Sequence, residues 1–305
     1  MITTLPHSRR DNVRGGLTML VAVGALCLLD AGMKQLAGAY PPLQLAGIRG
    51  LASLPFVLVW VGLTGGFGGL LRVRWELHLL RGALGILMLC GFIYGVRHLA
   101  LAEAYSIFFV APLLITAFAV PLLGERVGWR RWGAIAIGMA AVWFALRPQG
   151  EGLVLLPAVA VFASAVGYAL SAITVRVLGR TDSSQSMVFW LMLSIGVVAT
   201  LASLPRWQPI APGHWPVILW IAASGAVGQW AITEAFRLGE ASFIAPFEYT
   251  AMAWGVGLDW LLWQTVPAAR TWIAAAVIIA CGIYLMHRER VESSIHLAEA
   301  APPLA

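Results

Sequence analysis

The sequence predicts an all-α integral membrane protein of ten transmembrane helices, arranged as two inverted five-helix repeats. Three observations carry this: a surplus of apolar residues, ten apolar runs of membrane-crossing length, and a weak similarity between the two halves. Of 305 residues, 60% are hydrophobic, and only 20 basic and 14 acidic residues bear formal charge. Charged residues make up 11% of the chain, against about 25% in a soluble domain. With mean hydropathy at +0.83, the polar residues are too few to cover a water-soluble globule of this size. A soluble enzyme is therefore excluded, and the lipid bilayer is the expected solvent.

A membrane-crossing helix takes roughly 20 apolar residues. Runs of that kind lie at residues 16–37, 43–63, 78–97, 99–123, 129–147, 153–175, 186–204, 215–236, 241–263 and 269–287. Turn-forming residues separate them: Tyr40-Pro41-Pro42, the glycine cluster from Gly65 to Gly69, Arg147-Pro148-Gln149-Gly150, Thr181-Asp182-Ser183-Ser184, and the stretch from Pro205 to Pro216. Arg9, Arg10 and Arg14 precede the first run in the charge layout of a signal peptide. The run is too long for one and lacks a small-residue cleavage site, so it reads as a retained first span. The organisation expected is an N-terminal tail over 1–15, a first repeat over 16–147, a linker at 148–152, a second repeat over 153–287, and a polar, disordered tail over 288–305.

The charges orient the bundle, because cytoplasmic loops carry the excess of Lys and Arg. With the N-terminus inside, that face holds Arg9, Arg10, Arg14, Arg72, Arg74, Arg81, Arg126, Arg130, Arg131, Arg176, Arg180, Arg237, Arg288 and Arg290. The other face holds only Arg97, Arg147, Arg206 and Arg270, while Lys34 and Arg49 fall within spans. Both termini are expected in the cytoplasm, and the protein in the cell (inner) membrane. The net charge of +6 comes from single and paired residues with no long basic block, which excludes nucleic acid as a partner. Cys27, Cys90 and Cys281 lie far apart in apolar runs, so neither a disulfide framework nor a metal site is suggested. No cofactor motif is present.

Shifting the chain by about 140 residues aligns Trp132 with Trp272, Ala134 with Ala274, Phe144 with Tyr284, Gly85 with Gly225 and Arg97 with Arg237. Each match is weak; a common spacing across two sets of five spans favours duplication. Because five is odd, the second copy enters the membrane from the opposite face, an architecture of secondary transporters with the solute held between the bundles near the midplane.

The chain resembles the drug/metabolite transporter superfamily, EamA type. The resemblance rests on the stretch from Leu28 to Gly50, on Glu103 to Phe144 with its Leu-Gly-Glu-Arg string at Leu123 to Arg126, and on Glu240 to Pro267. The second copy carries Gln264-Thr265 where Gly-Glu is usual. What the resemblance implies is a ten-helix solute carrier whose central cavity is walled mainly by spans 1, 3, 4, 6, 8 and 9.

Charged groups at lipid depth must be paired or hydrated, so each is a candidate. Asp30 and Lys34 stand at i and i+4 on the first span, a favourable order for a helical ion pair. Asp30 and Arg49 flank the Pro41-Pro42 turn at similar depth, about 12–15 Å below the outer end. One carboxylate between two cations reads either as a brace for the first hairpin or as a charged rim for an anionic or zwitterionic solute. Tyr105 and Ser106 on the fourth span offer uncharged hydroxyls, and Glu103 reads as a helix cap or a link to Arg97. On the eighth and ninth spans Gln229, Trp230, Glu248, Tyr249 and Trp254 are candidate solute contacts. Glu248 has no basic neighbour in its own span within two turns and is the candidate for proton coupling. Asp259 reads as interfacial. Pro112 and Pro121 interrupt the fourth span and Pro246 the ninth; Pro112 and Pro246 are the hinge candidates. Gly91 and Gly95 have GxxxG spacing, which serves packing within the monomer and leaves a homodimer open.

No nucleophile–base set, metal constellation, GxSxG or Walker sequence is present, so an enzyme is not expected. The reading is a secondary transporter of a small metabolite or amphipathic solute, working by alternating access as an exporter, with proton coupling open. The alternative is an importer of an aromatic or heterocyclic nutrient; the rival of another class is a channel or membrane scaffold.

Overall fold

The computed structural model describes residues 9–64, 67–71, 73–123, 129–145, 155–178, 181–238, 245–269 and 271–284, and every regular element among them is helical. The helices are α1 (Arg9–Leu36), α2 (Pro42–Thr64), α3 (Trp75–His98), α4 (Leu101–Phe108), α5 (Ala111–Leu123), α6 (Trp129–Ala145), α7 (Leu155–Leu178), α8 (Ser184–Ser203), α9 (Trp215–Leu238), α10 (Ala251–Trp263) and α11 (Thr271–Tyr284). A 3-10 stretch, Ala245–Thr250, leads into α10.

Seven segments among the described residues are long and apolar enough to cross a bilayer. They occupy the first to fourth and sixth to eighth of the ten expected positions. The other three hold shorter helices: α6 has 17 residues, α10 has 13, and α11 falls in the same short class. The ninth segment is short because 3-10 geometry replaces its first part; beside α6 and α11 the flanking residues lie outside those described. The first helix begins at Arg9, not at residue 16. The 148–152 linker, the tail after 287, the Gly124 to Arg126 part of the Leu-Gly-Glu-Arg string, Glu240 and the Arg237 side chain also lie outside the described residues.

The apolar residues divide as a membrane protein requires. Leu17, Leu63, Leu79, Leu201, Leu219 and Leu261 point outward, Leu63 being 81% exposed, an apolar exterior that water would not tolerate. Trp129, Trp132, Trp215 and Trp272 are exposed near helix ends, where an aromatic belt is expected.

The fourth span is broken. Pro112 has no N–H to donate, and its ring clashes with the carbonyl four residues back, that of Phe108, the last residue of α4. The chain repairs the gap locally: the Phe109 N–H donates to the Tyr105 carbonyl (2.9 Å) and the Val110 N–H to that of Ile107 (3.3 Å). Pro121, by contrast, leaves α5 unbroken. Pro246 lies in the 3-10 stretch of the ninth span.

Packing pairs α1 with α9, α2 with α8 and α3 with α7; α4 lies against α10 and α7. Small residues set the approach. A Cβ on Gly50 would strike the backbone of Gly196 on α8, and one on Gly91 would lie 2.5 Å from Ser164 Oγ and 2.7 Å from the Ala160 carbonyl oxygen. Gly91 and Gly95 thus both pack on α7, inside the chain.

Both ends of the bundle are tied. Where α1 meets α2, Tyr40 Oη lies 2.8 Å from His214 Nδ1 and accepts from the Ala211 N–H (3.0 Å), while Gln44 exchanges two hydrogen bonds with the Gln208 backbone (2.7 and 3.0 Å). Where α3 begins, His78 Nε2 lies 2.8 Å from Asp182 Oδ2, which also accepts from the Arg74 N–H (3.3 Å). Burial acts to raise the Asp182 carboxyl, but hydrogen bonds from Thr181, His78 and the Arg74 backbone together outweigh it and hold the group below the usual carboxylate range.

Two predictions follow from this packing. Gly50→Val lowers stability by about 1–3 kcal/mol through overpacking, read as a lower midpoint in detergent thermal unfolding; an unchanged midpoint contradicts the close crossing of α2 and α8. The depressed Asp182 contributes stability that is complete above the ordinary carboxylate pKa of about 3.9 and is lost as pH falls through its lower folded value. Wild type therefore melts above Asp182→Asn at pH 5–6, and acidification below about pH 4 closes that gap.

Candidate functional site

A cavity of about 930 Å³ lies between α1, α2, α8 and α9. Its wall follows from helix periodicity. Arg49, Ser53, Phe56 and Trp60 lie at spacings of three and four on α2, so they share one face. Gln229 and Trp230 line it from α9, Leu29 from α1 and Met192 from α8. Gly225 brings α9 close to α1, since a Cβ there would sit 2.7 Å from Leu29 Cδ1. Toward the end where α2 stops and α8 starts, the wall turns polar with Thr64, Gln185 and Glu234; Gln185 Nε2 donates to Thr64 Oγ1 at 3.4 Å.

At the opposite end the charges form a lock. Lys34 Nζ donates to Asp259 Oδ1 at 2.7 Å, with the two side chains 12% and 0% exposed. The second carboxylate oxygen accepts from the Ala102 N–H at the start of α4 (2.9 Å), and the ammonium sits 4.3 Å from the Trp263 ring centroid. Lys34 therefore pairs with Asp259, not with Asp30 one turn away, because the far carboxylate also caps α4 and would otherwise be an unpaired charge at depth. Asp259 is a buried ion-pair partner, not an interfacial residue. Sequence reasoning missed it, although an acid without a cation in its own span was the available signal.

Asp30 turns to the core instead, where Tyr105 Oη donates to it at 3.0 Å, and it remains within electrostatic reach of Arg49. Ser106 gives its hydroxyl to the Glu103 carbonyl (2.7 Å), and Glu103 reaches back to the Ala100 N–H (3.4 Å) as a cap. Tyr249 sits edge-on to Phe109 with ring centroids 5.3 Å apart, and Glu248 acts electrostatically on Tyr168. Trp254 packs on Gly24 of α1, where a Cβ would lie 2.9 Å from its ring.

Of the sequence candidates, the cavity thus gathers Arg49, Gln229 and Trp230. Lys34 belongs to the lock, Asp30, Tyr105, Ser106, Glu248 and Tyr249 lie in the packed interior, and Trp254 on α10 is partly exposed beside α1. The described cavity is walled by spans 1, 2, 7 and 8 and is a different space from the central one between spans 1, 3, 4, 6, 8 and 9 that the resemblance implies. Between spans 3, 4, 6 and 9, Phe92, Tyr105, Phe109 and Tyr249 form a chain of ring contacts, and Phe108 meets Tyr168 at 5.4 Å. Ser53, Trp60 and Gln185 are lining residues the sequence did not single out; the three-and-four spacing from Arg49 was the signal for the first two.

Comparison with known proteins bears on this site. The model of the EamA-like transporter family matches twice, at residues 13–147 and 155–288. The riboflavin transporter of Vibrio cholerae is 26% identical, covering 92% of this chain and 95% of that protein. The pseudopaline exporter of Pseudomonas aeruginosa is 25% identical over 90% of this chain and 96% of its own length. The S-adenosylmethionine uptake transporter of Rickettsia bellii is 24% identical over 79% and 80%. A solved crystal structure, 19% identical, shares the fold with a TM-score of 0.62 over 93% of this chain and all of that one. These names point to transport of small molecules rather than to catalysis, by a multi-pass membrane protein.

The lock makes its own prediction. Asp259→Asn leaves Lys34 without its counter-charge and destabilises by about 3–5 kcal/mol, whereas the paired change Lys34→Met with Asp259→Leu recovers most of the loss. Thermal unfolding of wild type, Lys34→Met, Asp259→Leu and their double variant gives the coupling energy; additive effects contradict the pair.

Proposed function

Since the chain belongs to the EamA-like transporter family, we propose that it is a secondary carrier that moves a small amphipathic solute by alternating access. The observation that carries this is a cavity of about 930 Å³ at membrane depth, aromatic along one wall and polar at one end, beside an ion-paired lock at the other. A channel needs both ends open; this arrangement favours exposure to one side at a time.

The helix pairing supports two inverted repeats. Renumbering spans by five carries the pair of spans 1 and 8 onto 6 and 3, and leaves 2 with 7 and 4 with 9 unchanged, all of which are neighbours. Two halves related in this way can exchange their roles at little energetic difference. With the repeats over 16–147 and 153–287 and both termini in the cytoplasm, as the arginine bias implies, the Thr64–Gln185–Glu234 end faces the cytoplasm. Loading from that side favours export. The break at Pro112 and the 3-10 stretch at Pro246 supply flexible points in equivalent spans.

Import is the second reading, favoured by the S-adenosylmethionine uptake transporter among the relatives; Trp60 and Trp230 in the wall suit a planar ring. Glu248 is the proposed site of the coupling proton; its charge acts on Tyr168 and Tyr249.

Proteoliposome assays with an imposed pH gradient, using amino acids, purines, flavins and quaternary amines, test the reading. Saturable flux with counterflow is the expected result, and Glu248→Gln removes the response to the gradient while leaving counterflow. Linear flux without counterflow contradicts a carrier.

A further inference from the structure

Arg49 is unlike the other well-described cations at depth. Lys34 is matched by Asp259 and covered by Trp263, and Arg81 Nη1 donates to the Met187 carbonyl at 2.6 Å. Arg49 is only partly exposed, yet among the described residues its guanidinium donates no hydrogen bond and joins no ion pair. A guanidinium carries five N–H donors in a planar fork that fits an oxyanion at two points. The nearby negative charge that acts on it is Asp30, which already accepts from Tyr105 Oη at 3.0 Å. The fork therefore borders the cavity with its hydrogen-bonding capacity unspent. Apart from Ser53 and Gln229, the wall around it is apolar and aromatic: Leu29, Phe56, Val57, Trp60, Met192 and Trp230. Glu234, the acid of the lining, is nine residues beyond Gly225 on α9, about 13 Å along the axis, and so belongs to the other end of the cavity.

Resting on the reading of this cavity as the solute site, we propose that it selects organic oxyanions, with a carboxylate or phosphate group on Arg49 and an apolar, ring-bearing body against Trp60 and Trp230. An unpaired guanidinium in an apolar surround gains most from a ligand that brings its own negative charge. A neutral solute of the same shape leaves the fork unsatisfied. Specificity then comes from an unfilled donor set, a stronger discriminator than apolar contact.

Binding of tritiated 1-naphthaleneacetate to the full chain in phosphatidylcholine nanodiscs tests this, with unlabelled 1-naphthaleneacetate and its neutral isostere 1-naphthaleneacetamide as competitors. The acetate competes with a Kd about tenfold or more below that of the acetamide, as a charge-assisted hydrogen-bonded pair requires. Arg49→Gln brings the two to equal affinity, Arg49→Lys keeps part of the preference, and Trp230→Ala weakens both competitors. Retained acetamide binding shows that Arg49→Gln is folded. Equal competition in wild type, or a preference that survives Arg49→Gln, overturns oxyanion selection while leaving the cavity as the solute site. Binding that ignores Trp230→Ala overturns the site itself, and so does an absence of binding in wild type. Discs containing phosphatidylglycerol separate the sources of the oxyanion: weaker naphthaleneacetate binding there identifies a lipid headgroup as an occupant, and unchanged binding a soluble solute.

Discussion

Hydrocarbon cannot donate or accept a hydrogen bond, so every polar group at lipid depth must find its partner inside the chain or in an enclosed hydrated space. Much of the architecture answers to that constraint. Every regular element among the described residues is helical, and where Pro112 forbids a regular turn, Phe109 and Val110 re-pair their N–H groups within the break. Several side chains obey the same rule: the Ser164 hydroxyl returns to the Ala160 carbonyl (2.8 Å), Ser106 to Glu103, and Lys34 crosses from α1 to α10 to reach Asp259.

The constraint also separates scaffold from site. A charge paired on every side is finished, and Lys34 with Asp259, Trp263 and the α4 N-terminus is in that condition. A charge that borders a cavity with donors to spare is not, and Arg49 is in that one. The two cations lie on adjacent helices of the first hairpin but serve opposite ends of the task. One holds three elements together; the other borders the cavity proposed to take the solute. The breaks near Pro112 and Pro246 fall in two of the spans that carry the lock, whereas α2 and α8 approach closely at Gly50 and Gly196.

Gln264 illustrates how local departures are absorbed. It ends α10 in the left-handed region, with φ at 53°, where glycine is the unstrained choice. Gly is usual at this point in the EamA pattern, and Gln264 is, in the fold, a helix terminator made from a less suitable residue. The Gln264 N–H still bonds back to Trp260 (3.1 Å), so the turn survives the change.

Composition and periodicity were enough to establish the solvent, the helical class and the positions of the seven membrane-length segments, because burying backbone in lipid leaves few alternatives and apolar run length is a local property. They also supplied the aromatic belt and the Gly91–Gly95 contact, both matters of residue type at short spacing. Partner choice was not legible in that way. Lys34 had an acid four residues away on its own helix, and only the crossing of α1, α4 and α10 brings a better-placed carboxylate within 2.7 Å. The wall of the cavity was equally hidden, since whether spans 3, 4, 6 and 9 enclose space or fill it depends on how Tyr105, Phe109, Tyr168 and Tyr249 interlock. Contacts such as Lys34 with Asp259 and Phe109 with Tyr249 join residues far apart in the chain, and their energies depend on three-dimensional fit, which no local pattern encodes.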